Sequence, residues 1–150
     1  MAAFFAFLHH VSAFTLFAAL VVEFVLIRSV LTVESARKIQ VADMIFGISA
    51  GVLLLVGLLR VFYFEKGATY YFHTWTFHAK LGLFVIVGLI SIIPTLEFLR
   101  WRTATKAGQV PNVSADKIKS IRSIIHYEMA GVVLILLFAA MMAKGIGLML

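Results

Sequence analysis

Residues 71–93 read YFHTWTFHAKLGLFVIVGLISII, and this stretch decides the fold. Its second half, 81–93, is too apolar for the surface of a water-soluble domain, so we expect a helix that crosses a membrane. Its first half brings His73, His78 and Lys80 to the mouth of that helix. An ionisable group costs roughly 2.5–3.5 kcal/mol at the centre of a membrane helix, so such a residue normally has a partner and a use.

The whole chain has the composition of a multi-span membrane protein. Its 150 residues are 63% hydrophobic and 13% charged, with a mean hydropathy of +1.05. This length holds about four helices of ~20 residues and leaves no room for a soluble catalytic domain. We predict an all-α, antiparallel up-down four-helix bundle that forms a single transmembrane domain, with spans at about 4–27, 41–64, 74–99 and 123–144. The N-terminus lacks a basic segment and runs straight into the first span, so that span is expected to be retained.

The cysteine count and the charge exclude several functions. The chain has no cysteine, which excludes disulfides, thiolate zinc sites, iron–sulfur clusters and covalent haem attachment. The net charge of +6 comes from Lys and Arg in the connections between spans. Basic residues there indicate contact with anionic lipid headgroups, not with nucleic acid.

The distribution of these basic residues predicts the orientation. The first and third connections contain Arg28, Arg37, Lys38, Arg100, Arg102, Lys106, Lys117, Lys119 and Arg122, whereas the opposite side contains Arg60, Lys66 and Lys144. Loops rich in Lys and Arg stay in the cytoplasm. Both termini are therefore expected on the periplasmic side of a bacterial inner membrane.

This topology collects most of the histidines in the outer leaflet. His9 and His10 in span one, His78 and Lys80 in span three and Arg60 in span two are expected at similar depths, with His73 just above. His126 and Glu128 are expected to lie alone near the inner end. Glu23 shares a helical face with His9 and is expected to extend toward Arg28.

Two imidazoles that face each other across a helical bundle are what the iron of a b-type haem requires. We take His9, His10 and His78 as candidate metal ligands, and expect one of the first two to pair with His78. Sharing a face with Glu23 favours His9 over His10. Carboxylates of the haem would meet Arg60, Lys66 or Lys80, and space for the macrocycle would come from Gly47, Gly51 or Gly82.

Two other functions stay open. The same histidines suit a copper-binding or copper-transport protein, although most methionines lie at other depths. The chain also suits a small accessory subunit that packs against a larger membrane complex through its small-residue face. A coloured purified protein would favour haem over both.

The region after Trp75, Phe77-His78-Ala79-Lys80-Leu81, resembles the third-span entry of the HemJ-type protoporphyrinogen oxidases. Leu8-His9-His10 is similar to that family's first-span histidine, and the layout of Arg122, Tyr127-Glu128 and Lys144 is similar to its last span. Two positions depart from the family pattern: Lys144 is followed by Gly-Ile instead of Pro-Phe, and Tyr127 replaces an Asn.

The chain looks more like one of the bacterial four-helix inner-membrane proteins that are distantly related to this family and to CopD-like copper-resistance proteins. These resemblances imply haem b, with His9 or His10 and Lys80 as the functional residues and Lys80 in the catalytic role. They imply electron transfer or oxidoreduction, from a porphyrinogen-like donor toward quinone or a respiratory partner. The expected partners are the lipid bilayer, such a redox partner and a second copy of the chain.

Overall fold

The computed structural model describes residues 1–64 and 67–149. Four long helices make up most of it: α1 (Ala2–Ile27), α2 (Val33–Leu59), α4 (Trp75–Arg100) and α6 (Ala115–Ala143). A π-helical turn, Arg60–Phe64, continues α2, and the short helices α3 (Ala68–Phe72) and α5 (Arg102–Lys106) lie in the connections. Four helical segments are long and apolar enough to cross a membrane: Ala2–Ile27, Val33–Phe64, Trp75–Lys106 and Ala115–Ala143. The prediction of an all-α protein with four apolar spans is confirmed.

The second long helix begins eight residues before the predicted span. Thr32 and Ser35 form a capping box, in which the Ser35 N–H donates to Thr32 Oγ1 over 3.0 Å and the Thr32 N–H donates to Ser35 Oγ over 2.8 Å. A capping box satisfies two backbone donors that a helix N-terminus otherwise leaves open. Residues 33–40, which carry Glu34, Arg37 and Lys38, therefore belong to the same helix as the span.

The last long helix also begins outside the predicted span. Its N-cap is Ser114, whose Oγ accepts a hydrogen bond from the Lys117 N–H over 3.2 Å. A hydropathy boundary marks where a helix enters the apolar layer, whereas a cap marks where the helix starts. Residues 115–122 are therefore the beginning of α6 itself.

The bundle is packed tightly at one end, here called the closed end, where α1 and α4 finish and α2 and α6 begin. The largest fully buried apolar side chains include Leu20, Ile39, Phe98, Ile121 and Ile125, each at most 1% exposed. The other end, the open end, has a smaller buried cluster of Val61, Tyr71 and Phe77. Helix α1 packs mainly on α2, and α4 mainly on α6, while α1 also meets α6 along the centre.

Helices α2 and α4 are joined at the closed end by polar contacts. The Thr95 hydroxyl donates to Asp43 Oδ1 over 2.7 Å, and the Gln40 amide donates to the Phe98 carbonyl oxygen over 3.1 Å. Over their whole length α2 and α4 contact each other much less than α1 contacts α2 or α4 contacts α6. A groove therefore opens between α2 and α4, with α1 and α6 behind it.

The C-terminal tail fastens the start of α4. The Trp75 N–H donates to the Gly147 carbonyl over 3.0 Å, and the Met149 N–H donates to the His73 carbonyl over 2.8 Å. Gly147 has φ +101°, and a Cβ there would lie 2.7 Å from Thr76 Cγ2. Because only glycine adopts this backbone with so little space, the tail can lie directly against the helix entry. The first turn of α4, which leads to Lys80, is thereby fixed.

Candidate functional site

The groove between α2 and α4 is a cavity lined by all four long helices. Its volume is about 360 Å³, within the range of roughly 300–1,000 Å³ that ligand sites occupy. Small residues line it, including Gly47, Ala50 and Gly57 on α2 and Gly88 on α4. A Cβ at Gly47 or Gly88 would meet no atom within 4 Å. The absence of side chains at these positions contributes to the space in the groove.

Two of the predicted site residues, His9 and Lys80, line this same groove. His9 comes from α1 and lies against α2, where its Cε1 is 3.4 Å from the position of a Cβ on Gly57. Lys80 comes from α4, and its Nζ is 5.8 Å from the centre of the Phe77 ring. An imidazole and an ammonium group from two different helices thus border one apolar space near the open end.

The other two candidate histidines point elsewhere. The exposed His10 ring donates from Nδ1 to the Ala6 carbonyl over 2.6 Å, within its own helix. The exposed His78 ring donates from Nε2 to the Phe72 carbonyl over 2.9 Å. Neither residue borders the groove. Residues two positions apart on a helix point about 200° apart, so His78 and Lys80 face opposite ways. The structure therefore does not bring the expected pair of opposing imidazoles together.

The remaining candidates from the sequence lie around the groove. Arg60 begins the π-helical turn and directly precedes Val61, which lines the groove, but Arg60 is not itself a lining residue. Lys66 lies outside the described residues. Gly51 and Gly82, expected to make room for a cofactor, are exposed on other faces, whereas Gly47 is in the groove as expected.

The structure also reveals a carboxyl cluster of Glu23, Asp43 and Glu128, contributed by α1, α2 and α6. The first and last are each 1% exposed and Asp43 is 9% exposed. The three groups are near enough to interact electrostatically. Within the described part of the chain, Oε1 of Glu23 and Oε1 of Glu128 have no hydrogen-bond partner. The interpretation of Glu128 as isolated is therefore wrong, and Glu23 is buried in this cluster instead of extending into the interface toward Arg28.

The carboxyl cluster lies beside the closed end of the groove. Thr95 lines the groove and donates its hydroxyl proton to Asp43 Oδ1. Carboxylates that share a buried site repel one another, so such a cluster must hold protons or a counter-ion. The sequence offered one signal for it, since acidic residues inside a span normally face the bundle interior. The sequence did not show that the three carboxyl groups lie at the same depth, because their depth depends on how far each helix extends and how the helices are staggered.

Comparison with known proteins identifies a family but no activity. A family model described as "Predicted membrane protein (DUF2214)" matches residues 1–147. No curated protein and no solved structure matches the chain. The match covers all four long helices, the groove and the carboxyl cluster.

Proposed function

The chain belongs to the DUF2214 family of predicted membrane proteins, and on that premise we propose that it is a membrane b-type haem protein acting in electron transfer or oxidoreduction. The observation that carries the proposal is that His9 and Lys80, from two different helices, line one apolar groove. An imidazole can ligate haem iron, and a cation can pair with the carboxylates of the haem.

The groove fits a flat, apolar group with an acidic edge. Its lining is mainly aliphatic and aromatic, and Gly47 and Gly88 leave open space where side chains would otherwise stand. The imidazole of His9 would ligate the iron, since His9 is the histidine among the described residues that line the groove. Lys80 is assigned to a carboxylate, either of the haem or of a porphyrinogen-like substrate. His78 keeps the role of a second ligand only if the α3–α4 corner rearranges.

The chain's own residues determine access and charge at the site. When bound, the haem supplies the one-electron redox chemistry. The opening between α2 and α4 faces the lipid, so an apolar donor or acceptor such as a quinone can approach from the bilayer. Lys80 places a positive charge at the border of an apolar cavity, where a carboxylate is attracted more strongly than in water.

The proposed arrangement is an antiparallel bundle in the bacterial inner membrane with both termini in the periplasm. This orientation is supported by the concentration of Lys and Arg in the helix ends and connections at the closed end, including Arg37, Arg100 and Lys117. In this orientation the carboxyl cluster lies toward the cytoplasm, and His9 and Lys80 lie toward the periplasm.

Copper binding is the second candidate, and one packing contact favours it. Met142 packs against the cluster of Val61, Tyr71 and Phe77 at the open end, and two members of this cluster line the groove. Histidine together with methionine suits copper. Among the described residues, however, no group of three histidine or acidic side chains is arranged to hold a metal ion. We therefore rank copper below haem.

The test is a reduced-minus-oxidised visible spectrum of the detergent-purified protein. We expect haem bands in the wild type, their loss in His9→Ala and their retention in His10→Ala, the adjacent histidine outside the groove. A second matched pair is Gly47→Leu, which fills the groove, and Gly82→Leu, which adds the same side chain on an exposed face. We expect Gly47→Leu to lose haem and Gly82→Leu to retain it.

Two results would contradict the proposal. A colourless wild type, expressed with ample haem supply, would rule out a resident haem and direct the work to copper analysis. Equal haem content in His9→Ala and His10→Ala would show that the groove imidazole is not the ligand.

A further inference from the structure

A second cavity, of about 380 Å³, lies at the closed end between the last turn of α1 and the third and fourth turns of α6. We call it the basic pocket. Its lining residues are Phe24, Arg28, Arg122, Ser123, His126 and Tyr127. It shares no lining residue with the groove, so it is a separate feature that the proposed redox function does not use.

The basic pocket holds two arginines and no acidic lining residue. In the described part of the chain, the ion pairs join Lys38 to Glu34 and join both Arg100 and Lys117 to Glu97. Arg28 and Arg122 form none of these pairs. Two guanidinium groups beside one cavity repel each other unless an anion lies between them, and their forked donors match the oxygens of a phosphate group.

Aromatic contacts hold part of this pocket in place. The guanidinium carbon of Arg28 lies 5.0 Å from the centre of the Phe24 ring, which is a cation–π contact. The Phe24 ring in turn lies 6.1 Å from the ring of His126 on α6. Arg28 is therefore held at the seam between α1 and α6 and does not extend freely into solvent.

The depth of the pocket matches that of lipid headgroups. Arg28 directly follows the last residue of α1, and Arg122 lies about two turns from the start of α6. Tyr127, 67% exposed beside them, is the kind of residue that concentrates at the membrane–water interface. Basic pockets between membrane helices at this level bind the headgroups of anionic lipids.

We propose that the basic pocket binds the phosphate group of an anionic phospholipid, with Arg28 and Arg122 on its oxygens. Ser123 and Tyr127 supply hydroxyl donors beside them. One bound headgroup bridges α1 and α6 at the closed end and stabilises the folded bundle in proportion to its occupancy. This inference does not depend on what the groove binds.

The test compares purified protein reconstituted in phosphatidylcholine alone and in phosphatidylcholine mixed with phosphatidylglycerol. The readouts are the lipid retained on the protein by native mass spectrometry and the midpoint of thermal unfolding. The pocket variant is Arg28→Gln with Arg122→Gln. The matched control is Arg102→Gln with Lys106→Gln, which removes the same charge from exposed positions of the third connection.

We expect the wild type and the control to retain phosphatidylglycerol and to unfold at a higher temperature when it is present. The pocket variant should retain at least tenfold less, because it loses both charge-assisted contacts to the phosphate oxygens. In phosphatidylcholine alone the unfolding midpoints of the three proteins should differ by less than the shift that phosphatidylglycerol gives the wild type, since the substituted side chains are exposed and the Arg28–Phe24 contact is weak at an exposed site.

Three results would overturn the proposal. Equal loss of phosphatidylglycerol in both variants would show a diffuse surface attraction instead of a pocket. No retention by the wild type would exclude a lipid site. A rise in the unfolding midpoint with inorganic phosphate alone, equal to that with phosphatidylglycerol, would assign the pocket to a soluble phosphate compound.

Discussion

Helices α4 and α6 approach each other closely at Gly131, and this contact gives a quantitative prediction. A Cβ at this position would lie 2.5 Å from Cγ2 of Val87 on α4, whereas carbon atoms in good contact are about 3.5–4.0 Å apart. Gly131→Ala therefore forces α4 and α6 apart by about 1 Å or displaces Val87 from its packing. Such overpacking costs roughly 1–3 kcal/mol, which corresponds to a fall of roughly 4–8 °C in the unfolding midpoint if the cost is near the middle of that range.

A double-mutant cycle isolates this contact. Val87→Ala alone removes packing worth about 1–2 kcal/mol, from the two buried carbon atoms it deletes. Combined with Gly131→Ala, it also removes the clash, so the double variant should be more stable than the sum of the two single changes by about 1–2 kcal/mol. The measurement is thermal unfolding of the four proteins in one detergent.

The control for backbone effects is Gly82→Ala, at an exposed helical position where a Cβ meets nothing within 4 Å. Alanine is favoured over glycine in a helix by about 1 kcal/mol, so this variant should be as stable as the wild type or more so. If Gly131→Ala behaves like Gly82→Ala, or if the double variant is simply additive, the reasoning about close packing of α4 on α6 is refuted.

Two further predictions concern the carboxyl cluster. Thr95→Val keeps the side-chain shape but removes the donor to Asp43, so unfolding stability should fall by about 0.5–2 kcal/mol; Ser91→Ala, whose hydroxyl bonds only within its own helix, should change little. Glu23→Gln removes one of three mutually repelling buried carboxyl groups. It should increase the free energy of unfolding by about 1 kcal/mol or more and so raise the unfolding midpoint. A clear fall in the Glu23→Gln midpoint, measured in the same detergent, would instead indicate that the ionised group has a stabilising partner.

The sequence was sufficient for the class of fold. Apolar runs separated by Gly, Pro and charged residues gave four helices, because a backbone in lipid must satisfy its own hydrogen bonds and a helix does so within one segment. The helix starts were less well predicted: α2 starts at Val33 and α6 at Ala115, where side-chain caps stop the backbone from fraying. Hydropathy does not reveal helix caps, so the predicted spans began later in the sequence than α2 and α6 themselves.

From the sequence, the site was predictable only as a set of candidate residues. The sequence singled out His9, His10, His78 and Lys80 as costly residues near one end of the bundle, and that selection is a matter of composition and depth. The structure brings His9 and Lys80 to the groove and leaves His10 and His78 on other faces. It also brings together Glu23, Asp43 and Glu128, whose meeting no local pattern indicated.

The physical reason for this division is the solvent around the helices. In a water-soluble protein the contrast between apolar and polar faces shows which side of a helix is buried. Here lipid outside and core inside are both apolar, and residues such as Phe14, Leu55 and Ile86 are exposed although their chemistry is that of a core. The sequence therefore determined that the helices cross a membrane and roughly where. Their rotation, their stagger and the side chains that meet were decided only by tertiary packing.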